Sequence, residues 1–515
     1  MRLTAESTEG PHVVIRVDAG PEIGLGHLLR IRPIAEGLIR SGATVEIVGR
    51  GISTEASAGL EWTVRQLDGR VAGEAPDLAQ TISLLGMTAP DLVVVDHYDL
   101  GEAWELGMSR RFPEAKIVAL DDLFNRTHAV EVLVDPNLGV SGPRLVSQGP
   151  GRALVGPAYA PLPAEYGEPA EERPPDALPP RVLVSLGGGR SGLVAPLAQA
   201  IVAEQHLRDI DFEFVVPDET ERAVVARILE GRLECTVHGR VPTLRPLLER
   251  ADLVIGAGGT SAWQRLRLGR PSVMVALADN QLRTAEALRD LGLARWVEQG
   301  SNPCAVTSAL VDALEDSALF HRARTHGPLL VDGRGVDRIL LALLPPATAP
   351  KLRLLEDGDA AALLAIANDP ATRAASRDSR NIRPDEHLAW FGRTRAAMGP
   401  TSWVAESSGL VIGQVRFAPL ADGWELHYGL EPAARGRGWS APMVAGALER
   451  LAATGADGDV FAVIHPTNEA SRRSLAGLGF VPDDAGRAVE VGVRLPEGFS
   501  AYVRPVAPAP RWLRD

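Results

Sequence analysis

The sequence predicts an α/β protein of three domains, two built on parallel sheets and a third of mixed character. Three observations predict it. Short apolar strands alternate with helical stretches, and after residue 180 the pattern restarts. A Pro- and Glu-rich stretch, Pro161 to Pro180, lies between the two runs and is expected to hold no regular element. A second break, Pro345 to Pro350, precedes antiparallel-looking strands. The chain of 515 residues, 45% of them hydrophobic, has the length of about three domains and enough apolar residues to give each a core. The expected boundaries are 1–162, 178–345 and 351–500.

In the first run, His12 to Asp18 reads as a buried strand, followed by a glycine loop. A helix comes next, with Leu28, Ile31, Ala35, Leu38 and Ile39 on one face, ending at Ser41-Gly42. Further strands are expected at 44–48, 91–96, 116–120 and 132–134. The second run offers strands at 181–186, 211–216 and 253–255. Two such halves joined by a linker are the layout of a GT-B fold, whose ligand lies in the cleft between them. The third segment offers strands at 402–407, 411–417 and 424–430.

The formal net charge of -13 and the lack of a long basic run argue against nucleic acid or an anionic membrane as principal partner. Small anionic ligands stay open, because helix N-termini and local Arg residues bind them whatever the global charge. Cys235 and Cys304 stand far apart, in no metal-ligand spacing, and are expected to be two ordinary core thiols. Met1 to Gly10 is polar and no apolar run reaches about 18 residues, so the expectation is a soluble, cytoplasmic enzyme.

Gly24-Leu25-Gly26-His27 falls between the first strand and the first helix, at the sheet edge where ligands of such folds bind. The glycines let backbone approach a ligand, and the helix N-terminus disfavours a protonated imidazole, leaving His27 suited to act as a base. Asp96-His97-Tyr98, Asp121-Asp122 and Asp135-Pro136-Asn137 end three strands and converge on the same rim. Asp121 and Asp135 also fit plain loop or helix caps. Gly187-Gly188-Gly189 and Gly256-Ala257-Gly258-Gly259-Thr260-Ser261 follow strands of the second half and suit close approach to a diphosphate.

The series RVDAGPEIGLGHLLR, VVVDHY, LDDL, VDPNLG, LVGPAYAPL, SLGGG and GAGGTSAWQRLRLGRPSVMVALADNQ resembles the UDP-2,4-diacetamido-2,4,6-trideoxy-β-L-altropyranose hydrolase family of the pseudaminic acid pathway over residues 12 to about 340. More distantly it resembles the MurG-type glycosyltransferases. The resemblance implies a metal-independent, inverting cleavage of the anomeric C1–O bond that releases UDP, with His27 as base and Asp18 and Tyr98 beside it. It implies a UDP-sugar site at Gly24, Gly26, His97, Gly188, Gly189, Gly258, Gly259, Thr260, Gln264, Asn280 and Gln281. Gln264 stands where such proteins usually carry a Glu for the ribose hydroxyls. Pro33 lies within the helix pattern, where it is expected to kink the helix or disturb its first turn.

In the third segment a strand from Trp424 to Leu430 leads through Arg435-Gly436-Arg437-Gly438-Trp439-Ser440 into a helical stretch. Strand, Gly/Arg turn and helix make a pyrophosphate cradle. Asn468-Glu469-Ala470-Ser471 and Leu478-Gly479-Phe480 follow at the spacing seen in GNAT acetyltransferases, which this segment resembles over residues 351 to about 495. The resemblance implies acetyl-CoA as co-substrate, held by Leu430, Arg435, Gly436, Arg437, Gly438, Trp439, Ser440, Asn468 and Ser471. Glu425 and His427 are the candidate bases, each equally readable as an ordinary solvent-facing strand residue. Leu475 stands where many members have a Tyr acid, which leaves the proton donor to the thiolate unassigned.

The joint expectation is a bifunctional enzyme that N-acetylates a UDP-amino sugar and removes UDP, feeding pseudaminic or a related nonulosonic acid. Two alternatives stand beside it: a GT-B glycosyltransferase fused to an acyltransferase, and a UDP-sugar-binding module without turnover.

Overall fold

The computed structural model describes residues 10–20, 25–53, 61–69, 73–123, 125–138, 151–170, 179–187, 192–231, 235–298, 302–345, 348–396 and 401–506. They form two compact units, the first extending to Leu343 and the second beginning at Leu344.

The first unit holds two parallel sheets. Its N-terminal sheet comprises β1 (His12–Val17), β2 (Thr44–Gly49), β3 (Thr63–Gln66), β4 (Leu92–Asp96), β5 (Lys116–Leu120), β6 (Val132–Asp135) and β7 (Arg152–Val155), in the order β3-β2-β1-β4-β5-β6-β7. Its second sheet comprises β8 (Arg181–Ser185), β9 (Asp211–Val215), β10 (Cys235–His238), β11 (Leu253–Ala257), β12 (Ser272–Val275) and β13 (Ala294–Val297), in the order β10-β9-β8-β11-β12-β13. Both orders reverse direction beside the first strand, the doubly wound pattern that opens a ligand crevice at the carboxyl ends of the central strands. Central strands such as β1 and β4 are buried on both faces, hence their runs of Val and Ile. Two Rossmann-like sheets in succession make this unit GT-B-like.

Both sheets belong to one unit because the chain returns. Helix Gly335–Leu343 packs on helix Gly26–Arg40, where a Cβ on Gly37 would stand 2.8 Å from Leu340 Cδ1. Lys116 Nζ donates to Leu343 O at 3.0 Å, and buried Arg338 bridges Ala158 O and Asp332. The expectation of a featureless linker is corrected in its first half. Ala164–Gly167 is a 3-10 turn, and Leu162 and Tyr166 are buried in the second core, because two apolar anchors interrupt the Pro and Glu. Arg267 donates to Tyr166 O and Gly167 O. Helix Gly26–Arg40 runs unbroken through Pro33, and Leu29 N bonds Leu25 O in a regular first turn. The N–H that Pro33 lacks belongs opposite Leu29 O, on an exposed residue where water can substitute. The cysteines are not core thiols: Cys235 is partly buried at a sheet edge and Cys304 is exposed in the first turn of a helix.

The second unit is one mixed sheet of β14 (Lys351–Leu354), β15 (Ser402–Ser407), β16 (Leu410–Pro419), β17 (Trp424–Leu430), β18 (Asp459–Ile464), β19 (Val481–Pro482) and β20 (Ser500–Pro505), in the order β14-β15-β16-β17-β18-β20-β19. Only β17 and β18 pair in parallel, and only from Trp424 to Leu426 against Val460 to Ala462. Beyond Leu426 the two strands part, while β17 stays bonded to β16 up to Leu430. No helix among the described residues is long and apolar enough to cross a membrane.

Candidate active sites

In the first unit, helix Gly26–Arg40 delivers His27 to the end of β4, where Asp96 is fully buried. His27 Nδ1 lies 2.6 Å from Asp96 Oδ1. Arg30, one turn on, grips the same carboxylate through Nε at 2.7 Å and a terminal nitrogen at 2.5 Å, and pairs with Asp122 at 2.9 Å. Burial raises the Asp96 pKa, but the Arg30 charge and the hydrogen bonds from Arg30 and His27 outweigh it and hold Asp96 well below the usual carboxylate range. An ionised Asp96 takes the Nδ1 proton as a hydrogen bond and leaves Nε2 of His27 as the basic nitrogen. The Tyr98 ring meets His27 edge-on at 4.4 Å, and its hydroxyl donates to Asp122 at 3.4 Å. Burial and Asp122 push that phenol up to about 12.

Asp18 sits deeper. Its oxygens accept from Arg16, from Arg50 N at 2.8 Å and from His97 Nε2 at 3.1 Å, and despite burial these donors hold it well below the usual range. Asp99 N donates to His97 Nδ1, so His97 carries its proton on Nε2 and anchors Asp18. Asp121 and Asp135 cap their loops by accepting from Leu123 N and Asn137 N, as the capping reading expects. Asp135 is nevertheless unusual: burial, with Asp122 and Asp121 nearby, pushes it up to about 8, and its Oδ2 has no hydrogen-bond partner among the described residues.

Across the cleft, Gly258, Gly259, Thr260, Trp263 and Gln281 of the second half face Arg30, Asp122 and Asn137 of the first. The halves also touch directly, Thr284 Oγ1 to Asn137 Oδ1 at 3.1 Å. Gln281 Oε1 accepts from Gly258 N and Leu277 N, so it shapes the glycine loop. A Cβ on Gly258 would lie 2.9 Å from Gln281 Cβ, which is why glycine stands there. Gln264 Oε1 is buried with no hydrogen-bond partner among the described residues. Gly26 begins the His27 helix, and among the described residues nothing lies within 4 Å of where its Cβ would stand. Gly24, Gly188, Gly189 and the side chain of Asn280 lie outside the described residues. The sequence reading did not single out Arg30, although it shares a helix face with His27, nor Arg265, which is buried and ties Ala257 O, Ser261 and Ser272 together beneath the glycine loop. Burial lowers Arg265 to about 10.

In the second unit, Glu425 and His427 project from one face of β17, 3.6 Å apart. Arg377 also pairs with Glu425. Burial alone would raise Glu425, but His427 and Arg377 bring it down to about 2. Burial lowers His427 below its ordinary value, so it is a neutral imidazole at neutral pH. From the opposite face the Tyr428 hydroxyl lies 2.5 Å from Ser471 Oγ, and burial raises its pKa. Asn468 caps helix Glu469–Gly477, its Oδ1 accepting from Ser471 N.

Gly436 and Gly438 both have positive φ, 73° and 75°, in the turn that leads to helix Ser440–Ala453. Their arginines face inward: Arg435 donates to Asp369, Thr372 and Leu430 O, and Arg437 donates to Leu344 O and lies over the Trp439 ring. The turn therefore presents backbone while its guanidinium groups brace it.

Residues 351–481 match the family model described as acetyltransferase (GNAT) domain. The second unit carries a GNAT acetyltransferase domain. A GNAT domain implies acetyl-CoA as co-substrate. The first unit is similar to the spore coat polysaccharide biosynthesis protein SpsG of Bacillus subtilis (strain 168), 24% identical over 343 residues, which spans 64% of this chain and 97% of that one. Among solved structures it is similar to MurG of Acinetobacter baumannii (16% identity, 64% of this chain, 98% of that chain, TM-score 0.46). It is also similar to the calicheamicin glycosyltransferase CalG4 (17% identity, 64% and 96%, TM-score 0.44). The chain joins a GT-B-like pair of parallel-sheet halves to a GNAT acetyltransferase domain.

Proposed function

We propose that the first unit cleaves the anomeric C1–O bond of a UDP-sugar with water as acceptor, and that the GNAT domain N-acetylates a UDP-amino sugar. The favoured substrate of the first reaction is UDP-2,4-diacetamido-2,4,6-trideoxy-β-L-altrose, by the resemblance of its motifs to that hydrolase family. The observation that carries the reading is the His27–Asp96 pair at the cleft, with Arg30 locking the carboxylate. Water loses a proton to His27 Nε2 as its oxygen bonds C1, the C1–O bond breaks, and UDP departs with the bonding pair. The Gly258-Gly259-Thr260 loop cradles the diphosphate.

In the GNAT domain His427 takes a proton from the acceptor amine, while Glu425 orients the imidazole. The amine nitrogen bonds the acetyl carbonyl carbon and the C–S bond breaks. Tyr428 donates to the departing thiolate, since Leu475 offers no hydroxyl. Backbone of β17 beyond Leu426 receives the pantetheine arm as an added strand would be received.

The test is incubation of the full chain with UDP-amino sugars and acetyl-CoA, products being identified by mass spectrometry and NMR. Free UDP and free diacetamido sugar are expected without any added acceptor. UDP release only when a sugar acceptor is supplied would replace the hydrolase reading with glycosyl transfer. Binding without release would leave a non-catalytic module.

A further inference from the structure

The acceptor side of the GNAT domain holds a cation that its fold does not use. On β16, Val415 and Phe417 point into the core, so Gln414, Arg416 and Ala418 share the opposite face. In register, Arg416 stands directly across from His427, and Ala418 across from Glu425. Directly opposed side chains on one face are neighbours, so the Arg416 guanidinium reaches the space beside the candidate base.

Its surroundings do not satisfy it. The guanidinium lies over the Trp390 ring, 5.6 Å from the centroid. Among the described residues no hydrogen bond or ion pair reaches its five N–H donors. Glu425, the neighbouring carboxylate, is already engaged by Arg377 and His427. Burial lowers the Arg416 pKa and the field of Glu425 only partly restores it. Two guanidinium groups thus face one carboxylate, and the Arg416 donors that no described protein group takes are open to an anionic ligand.

We propose that Arg416, shelved on Trp390, is an anion subsite for the acetyl acceptor, which carries a phosphate group there while presenting its amine to His427. This rests on the reading that the domain acetylates a UDP-amino sugar, and it assigns the group by which the acceptor is recognised. An uncharged amino sugar lacks the anion and is the weaker acceptor.

The experiment follows thiol release from acetyl-CoA by the full chain, with a UDP-linked amino sugar and with the uncharged methyl glycoside of the same sugar. The parent enzyme is expected to prefer the UDP-linked acceptor and to be inhibited by inorganic pyrophosphate competitively with it. R416Q should raise the KM for that acceptor about 10- to 100-fold, the range of one charge-assisted hydrogen-bond site, bring it toward that of the glycoside, and abolish pyrophosphate inhibition. R416K keeps the charge without the fork and should retain part of the preference, which also serves if R416Q does not fold. Undiminished preference and inhibition in R416Q, or a parent that pyrophosphate does not inhibit, overturns the subsite. If the parent acetylates some other primary amine but no UDP-linked one, the functional reading fails by itself. The subsite is then decided with that amine: competition by pyrophosphate that R416Q abolishes upholds it, and its absence in the parent overturns it.

Discussion

His27 Nδ1 stands 2.6 Å from Asp96 Oδ1, a carboxylate whose other oxygen is held by Arg30 Nε at 2.7 Å. The pair fixes the tautomer of a histidine that the chain places at a helix start. His27→Asn should abolish UDP release, a loss of about 10² to 10⁴-fold, and leave acetyl transfer unaffected. Asp96→Asn should lower kcat for UDP release by a comparable order, because an amide can donate to Nδ1 and turn the proton onto Nε2. Hydrolysis by the His27 variant within about threefold of the parent would remove His27 as the base.

For the acetyl transfer, kcat/KM should rise with pH along a limb lying below the ordinary histidine value of about 6.5, since burial lowers His427. Glu425 pulls that value up, so Glu425→Gln should move the limb to still lower pH. A limb that does not move identifies some other group as the base.

Tyr428→Phe removes the hydroxyl that meets Ser471. The expected result is a kcat for acetyl transfer reduced by about 10-fold or more, with the KM for acetyl-CoA little changed. A rise in that KM with unaltered kcat would make Tyr428 a binding residue only.

Gly438 sits at φ 75°, and among the described residues nothing lies within 4 Å of where a Cβ would stand, so a side chain there meets backbone strain and, on the proposed acetyl-CoA reading, the ligand. Gly438→Val should raise the apparent KM for acetyl-CoA steeply and leave UDP release alone. Calorimetric titration beside a melting curve separates this from a turn needed only for stability, which predicts a lower Tm with affinity intact.

His128 is buried between Glu105 at 2.6 Å and Asp121 at 3.2 Å. Burial opposes its charge, yet hydrogen bonds to Asp121 and Glu105 raise it to about 9. A raised folded-state pKa means stability fully present below about 6.5 and lost as pH climbs through 9. Asp135, pushed up to about 8, slopes the same way from about 3.8 upward. Melting of the first unit should therefore decline between pH 6.5 and 9, and His128→Gln should flatten that decline. An identical slope in the variant would show that His128 is neutral in the folded protein.

The sequence by itself determined the α/β class, the two parallel sheets, three antiparallel strands of the third and the places of the glycine turns, because strand burial and turn glycines are local patterns; the parallel β17–β18 pair that makes the third sheet mixed came from the tertiary structure. Strands β3, β7, β10, β12 and β13 of the first unit, and β14, β18, β19 and β20 of the second, were not read; β3, β7, β10 and β13 are four residues at a sheet edge, mostly polar or half-buried, with little periodicity, and β12 is buried throughout but only four residues long. Motif position marked His27, Glu425 and His427. Only the tertiary structure decided their partners: Asp96 is 69 residues from His27, and Arg377 is 48 from Glu425. It also joined Asp18 and His97 by a hydrogen bond, made Arg435 a brace, and set Arg416 across from His427. A hydrogen-bond partner depends on which strand ends meet in space, and that follows from sheet order and register, which no local pattern encodes.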